Sequence, residues 1–133
     1  MRIAIGSDHA GFHLKDLIRR HVADAGHDVL DLGTDSTDRV DYPDFGAAVG
    51  RAVAAGDADV GLCVCGSGIG IAMAAGKVPG IRAATVHDVT SARMARAHNA
   101  ANVMCVGVRF TGPQVAVDAG VAFLGTGFDG GRH

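Results

Sequence analysis

A cysteine that closes an apolar run and opens directly into a glycine-rich turn is the part of this chain best suited to chemistry. It stands in VGLCVCGSGIGIAMAAGK, residues 60–77. The apolar run reads as a strand and the residues after the turn as a helix, so Cys65 falls at a strand's carboxyl end, facing Gly66, Ser67, Gly68, Ile69 and Gly70. Open α/β sheets bind ligands in such places, because glycines let backbone N–H groups approach an oxyanion and the following helix adds its positive end. The same field favours a thiolate, which can serve as a nucleophile or as a proton-abstracting base. Two familiar phosphate motifs fail here. The dinucleotide fingerprint and the P-loop both need glycine where Ile71 stands, and the P-loop also needs serine or threonine where Val78 stands.

Other reactive side chains gather at predicted strand and helix ends. Asp8 and His9 follow the first strand and can face an anion together with Cys65 and Ser67, whereas His98 and Asn99 end a helical segment before the last strand. A histidine at that position is more often a dipole-compensating surface residue than a catalytic one. Arg109 and Arg132 are candidate phosphate clamps, although an isolated arginine is more often solvated or ion-paired. Cys63 and Cys105 read as buried structural thiols. Cys63-x-Cys65 has no second Cys or His pair at finger-like spacing, so no metal site is expected. An odd count of three cysteines is also a poor basis for a disulfide framework.

The elements that would hold these groups follow from periodicity and turn residues. Strands are predicted over 2–6, 27–32, 60–65, 81–86 and 103–107. Helices are predicted over 12–25, 45–55, from the GSGIG turn to about Gly76, around 89–97, and over 113–123, with a polar connection over 33–44. Alternation of this kind predicts an α/β fold, a three-layer α/β/α sandwich with a five-stranded, mostly parallel, Rossmann-like sheet. The closing GTGFDGGRH reads as extended unless a partner or ligand fixes it.

Composition narrows the function classes. With 133 residues, one domain over 1–133 is expected. A net charge of −2 gives no general attraction to nucleic acid or acidic membranes, and 48% apolar with 20% charged residues is ordinary for a globular protein. No apolar run approaches the ~20 residues that span a bilayer, and no signal peptide pattern opens the chain. A cytoplasmic location is expected.

Taken in order, GSDHAGFHLK, DYPDF, CGSGIGIAMAAGK, ARAHNAANV and GGRH resemble the ribose-5-phosphate isomerase B family, which includes the LacA/LacB sugar-phosphate isomerases. The similarity runs over essentially the whole chain. It implies a metal-independent and cofactor-free aldose–ketose isomerase of a sugar phosphate, working as a homodimer or homotetramer whose sites are shared between subunits. By the resemblance, Cys65 is the base moving a proton between C2 and C1, and Ser67 handles the hydroxyl proton. The amides of Gly66, Gly68, Ile69 and Gly70, with Asn99, would hold the enediolate. His98 would assist ring opening, Asp8 would contact sugar hydroxyls, and His9, Arg109 and Arg132 match phosphate-binding positions. Tyr42 stands where the family closes over the sugar. Some relatives use an acidic base elsewhere; Cys65, with alanines at 74 and 75, places this chain in the cysteine-using group.

The expected substrate pair is ribose 5-phosphate and ribulose 5-phosphate, with allose, galactose or tetrulose phosphates as alternatives. Two rivals of other kinds are a non-catalytic phosphosugar-binding module and a thiol enzyme of acyl transfer or redox chemistry. Binding alone needs neither Cys65 nor Ser67 nor His98, and no resolving cysteine stands at Cys-x-x-Cys spacing.

Overall fold

The computed structural model describes residues 1–133. Five strands and five helices alternate: β1 (Arg2–Ser7), α1 (Phe12–Asp24), β2 (Asp28–Asp31), α2 (Tyr42–Ala54), β3 (Val60–Cys65), α3 (Ile69–Gly76), β4 (Ala83–Thr85), α4 (Val89–Ala97), β5 (Val103–Gly107) and α5 (Pro113–Leu124). The strand order is β2-β1-β3-β5-β4, and every neighbouring pair is parallel. The expected three-layer sandwich is present, with a sheet that is wholly parallel.

Alternation along the strands divides the core. Ile3 and Ile5, Leu62 and Val64, and Met104 and Val106 face a layer with Leu14 and Ile18 of α1, Ala92 and Ala95 of α4, and Ala116 and Phe123 of α5. Ala4, Cys63, Cys65, Val103 and Cys105 face the other layer, against Val49 and Ala52 of α2 and Ile71 and Ala75 of α3. Strands covered on both faces must be apolar on both, which is why β3 and β5 are buried throughout. Phe123 is fully buried, and burial of such a side chain contributes roughly 1.5–3 kcal/mol.

Most boundaries lie within a residue of expectation, and three features differ more. Helix α2 begins at Tyr42, three residues before the predicted start, because Pro43 sits in the first turn, where its missing N–H costs nothing. The edge strand β4 is only three residues long, since Ile81 and Arg82 precede the ladder. The tail is not simply extended: the Asp129 N–H donates to the Ala97 carbonyl at 2.9 Å, and the Arg96 guanidinium donates to the carbonyl of Thr126 at 3.2 Å. It is thereby tied to the end of α4.

Candidate active site

Strands β1 and β3 are neighbours, but the chain leaves β1 toward β2 on one side and returns to β3 on the other. Their carboxyl ends therefore bound a crevice at a topological switch point. Asp8 and Cys65 lie at those two ends. Cys65 is buried, 3% exposed, and its Sγ accepts a hydrogen bond from the Gly68 N–H at 3.1 Å. Ser67 Oγ accepts from the Ile69 N–H at 3.1 Å. The amides of Gly66, Ser67 and Gly70 have no hydrogen-bond acceptor within the chain. Three unpaired donors thus stand in the turn that follows the thiol, at the start of a helix, as an oxyanion cradle requires.

Two glycines make this turn possible. Gly68 has φ +76°, and a Cβ on it would stand 2.7 Å from the Val106 carbonyl carbon of β5. A Cβ on Gly107 would overlap the Ser67 backbone. The turn therefore lies flat on the end of β5, and two further bonds hold it there: the Val108 and Arg109 N–H groups donate to the Cys65 and Gly66 carbonyls, both at 3.0 Å. Arg109 itself is exposed, with its Nε 3.7 Å from where a Gly66 Cβ would be, so its guanidinium overhangs the cradle.

The opposite wall belongs to Asp8, His9 and Tyr42. Asp8 is buried and its Oδ1 accepts from the Gly11 N–H at 3.0 Å, shaping the turn into α1. His9 Nδ1 lies 3.2 Å from both the backbone N and the carbonyl O of Val40, which ties the imidazole to the loop before α2. These residues, with Arg39 and Asp44, line a depression of about 390 Å³. The Tyr42 ring reaches from that depression to Gly70, where a Cβ would stand 2.6 Å from the ring. Asp8, His9, Tyr42, the Cys65–Gly70 turn and Arg109 form one continuous surface at the carboxyl edge of the sheet.

His98, Asn99 and Arg132 do not join it. Helix α4 runs back against the strands, so His98 at its C-terminal end lies at the sheet's amino edge, one strand length, or roughly 16 Å, from the level of Cys65. The tail ends there too: the His98 and His133 rings stack with centroids 4.2 Å apart and planes 3° from parallel. Asn99 is exposed, and its carbonyl accepts from Arg82 Nε at 2.6 Å. The expected site residues therefore form two groups at opposite ends of one chain. A further contact, which no motif announced, reaches the cradle from the edge strand: the Thr85 hydroxyl donates to the Gly68 carbonyl at 2.7 Å.

The largest cavity, about 820 Å³, is elsewhere. It runs along the open flank of β4 from Asp88 and Thr90 to Asn99 and Ala101. Cys65 does not line it, and the chemistry assigns the site to the cradle instead. No group of three or more His, Cys, Asp or Glu residues is arranged to hold a metal, and no helix is long and apolar enough to cross a membrane.

Comparison with known proteins identifies the family and the fold. The family model described as Ribose/Galactose Isomerase matches residues 3–133. Ribose-5-phosphate isomerase B of Escherichia coli is 44% identical over 132 residues, covering 99% of this chain and 89% of that protein. The solved ribose-5-phosphate isomerase B of Clostridium thermocellum superposes with a TM-score of 0.99 at 47% identity, over 100% of this chain and 90% of that one. That of Mycoplasma genitalium, solved with bound ribulose-5-phosphate, gives 0.94 at 40% identity, over 99% and 88%. A parallel α/β sheet with a cysteine cradle at its switch point, matched across nearly its whole length, makes this chain an isomerase belonging to the ribose/galactose isomerase family.

Proposed function

We propose that this isomerase interconverts ribose 5-phosphate and ribulose 5-phosphate through an enediolate, with Cys65 as the base. The observation that carries the reading is the Gly68 N–H on Cys65 Sγ, at the mouth of a cradle with three unpaired amides. A hydrogen bond to sulfur strengthens as charge gathers there. The thiolate takes the proton from C2 of the open-chain aldose, and the C2–H electrons form the C1–C2 double bond as the carbonyl oxygen becomes anionic. The cradle amides, with Asn99, receive that charge, and Ser67 Oγ moves a proton between the two oxygens. Return of the proton from sulfur to C1 gives the ketose. Asp8 holds sugar hydroxyls, Tyr42 covers the sugar, and His9, Arg109 and Arg132 take the phosphate. Binding energy from that remote group holds the reacting carbon over the sulfur.

Ring opening by His98 needs a second copy of the chain. His98, Asn99 and Arg132 stand at the wrong edge to reach their own Cys65, so a dimer that sets one copy's amino edge over the other's carboxyl edge completes both sites. Exposed Ile69, Met73, Val108 and Phe110 supply apolar surface near the cradle for that contact. A galactose or other hexose phosphate is the alternative substrate, supported by the family description. The three cysteines, two of them facing each other within the sheet, suit a reducing compartment such as the cytoplasm.

The test is ketose formation from ribose 5-phosphate with chelator present. The wild type turns over, and Cys65→Ala lowers kcat by about 10²–10⁴, the share that a positioned base contributes. Full activity in Cys65→Ala would remove Cys65 from the mechanism. Turnover of galactose 6-phosphate alone would keep the mechanism and change the substrate.

A further inference from the structure

The edge strand reaches the cradle through one side chain that the proposed mechanism does not use. Thr85, the last residue of β4, pairs in register with Cys105 of β5 and donates its hydroxyl to the Gly68 carbonyl at 2.7 Å. Gly68 is the N-cap of α3. At the N-caps of α1, α4 and α5 the carbonyl takes a backbone bond from its own helix, from Lys15, Ala92 and Ala116 at 2.8, 3.1 and 2.9 Å. The short bond at Gly68 comes instead from a side chain on another element. Gly68 also carries the N–H that points at Cys65 Sγ.

We infer that Thr85 is a positioning residue for the Cys65 thiol, acting through Gly68. The backbone of β5 blocks Gly68 from below, where even a Cβ would find Val106 at 2.7 Å. The Thr85 hydroxyl fixes its carbonyl from the side. With both in place the left-handed residue cannot rotate, and its N–H stays on the sulfur. Without the hydroxyl that anchor is lost, and the Gly68 backbone, whose N–H faces the sulfur, is free to shift. The Thr85 hydroxyl bonds to the Gly68 backbone, so its effect is expected on the sulfur's reactivity and not on phosphate binding.

The inference rests on Cys65 being the base, and two readouts separate the ideas. Thr85→Val keeps the β-branched shape suited to a strand and removes the bond, while Thr85→Ser keeps a hydroxyl. Each variant is assayed with ribose 5-phosphate. The rate at which iodoacetamide labels Cys65 in the absence of sugar is followed separately by peptide mass spectrometry. A single such bond corresponds to about a 3- to 10-fold change. Thr85→Val is expected to lose about that factor in kcat and in labelling rate at neutral pH, with KM within about 2-fold, and Thr85→Ser to recover most of both. Parental labelling in Thr85→Val, an equal loss in Thr85→Ser, or a loss confined to KM would overturn the assignment. Slower labelling with unchanged kcat would support Thr85 as the positioning residue and count against Cys65 as the base.

Discussion

At Lys15 the sequence places a charge where the fold allows almost no water. Its side chain is 2% exposed, and its Nζ donates to both carboxylate oxygens of Asp31 at 2.7 and 2.9 Å. The same Asp31 accepts from the Gly33 N–H at 2.9 Å, so one carboxylate joins α1 to the end of β2 and to the loop behind β1. Removing the carboxylate strands a buried ammonium, whereas removing the ammonium leaves a half-exposed carboxylate that water can solvate. Asp31→Ala is therefore expected to cost about 2 kcal/mol in urea unfolding, and Lys15→Met clearly less. Equal losses would mean that the pair is worth only its packing. The buried thiols differ among themselves as well: the hydrogen bond that the Cys105 S–H makes to Cys63, together with complete burial, pushes the Cys105 thiol well above its ordinary value. Cys105 therefore stays protonated and inert, in keeping with its reading as a structural residue. The Cys65 cradle was readable from the sequence because strand, cysteine and glycines are contiguous. Thr85 was not, because only the sheet brings residue 85 beside residue 68.

Among the elements, α4 carries the most complete cap. The Ser91 N–H donates to Asp88 Oδ1 at 2.7 Å, and the Asp88 N–H reaches Ser91 Oγ at 3.2 Å. Hydrogen bonding from the Ser91 N–H, followed by the Ser91 hydroxyl, holds the Asp88 carboxyl below the usual carboxylate range. A carboxyl with a lowered folded-state value contributes stability above the unfolded value of about 3.9 and loses it as pH falls through the folded value. Asp88→Ala is expected to lower Tm by about 3–5 °C near pH 7, with the gap narrowing as pH falls below the unfolded value. Thermal melts across that range check it; a constant gap would place the effect in packing instead. Element existence followed from periodicity, but boundaries depended on local chemistry. Pro43 could have announced the earlier start of α2, since proline favours a first helical turn. The tail's bond to Ala97 joins residues far apart in sequence and left no local sign.

For the whole molecule, parallel topology decides what one chain can do alone. Every helix runs back against the strands, so a residue at a helix C-terminus faces the edge opposite to the strand ends. That rule, applied to the predicted order of elements, already separates His98 from Cys65. The proposed dimer would resolve the separation, and complementation tests it directly. Cys65→Ala and His98→Ala are each inactive as pure proteins if both residues serve the reaction. After the two are mixed under conditions that exchange subunits, a mixed dimer has one site with both residues intact and one with neither. Half of the dimers are mixed at equal amounts, so activity on ribose 5-phosphate returns to about one quarter of the wild-type value. No recovery on mixing, with subunit exchange shown by mass, would contradict a site built from Cys65 of one copy and His98 of the other.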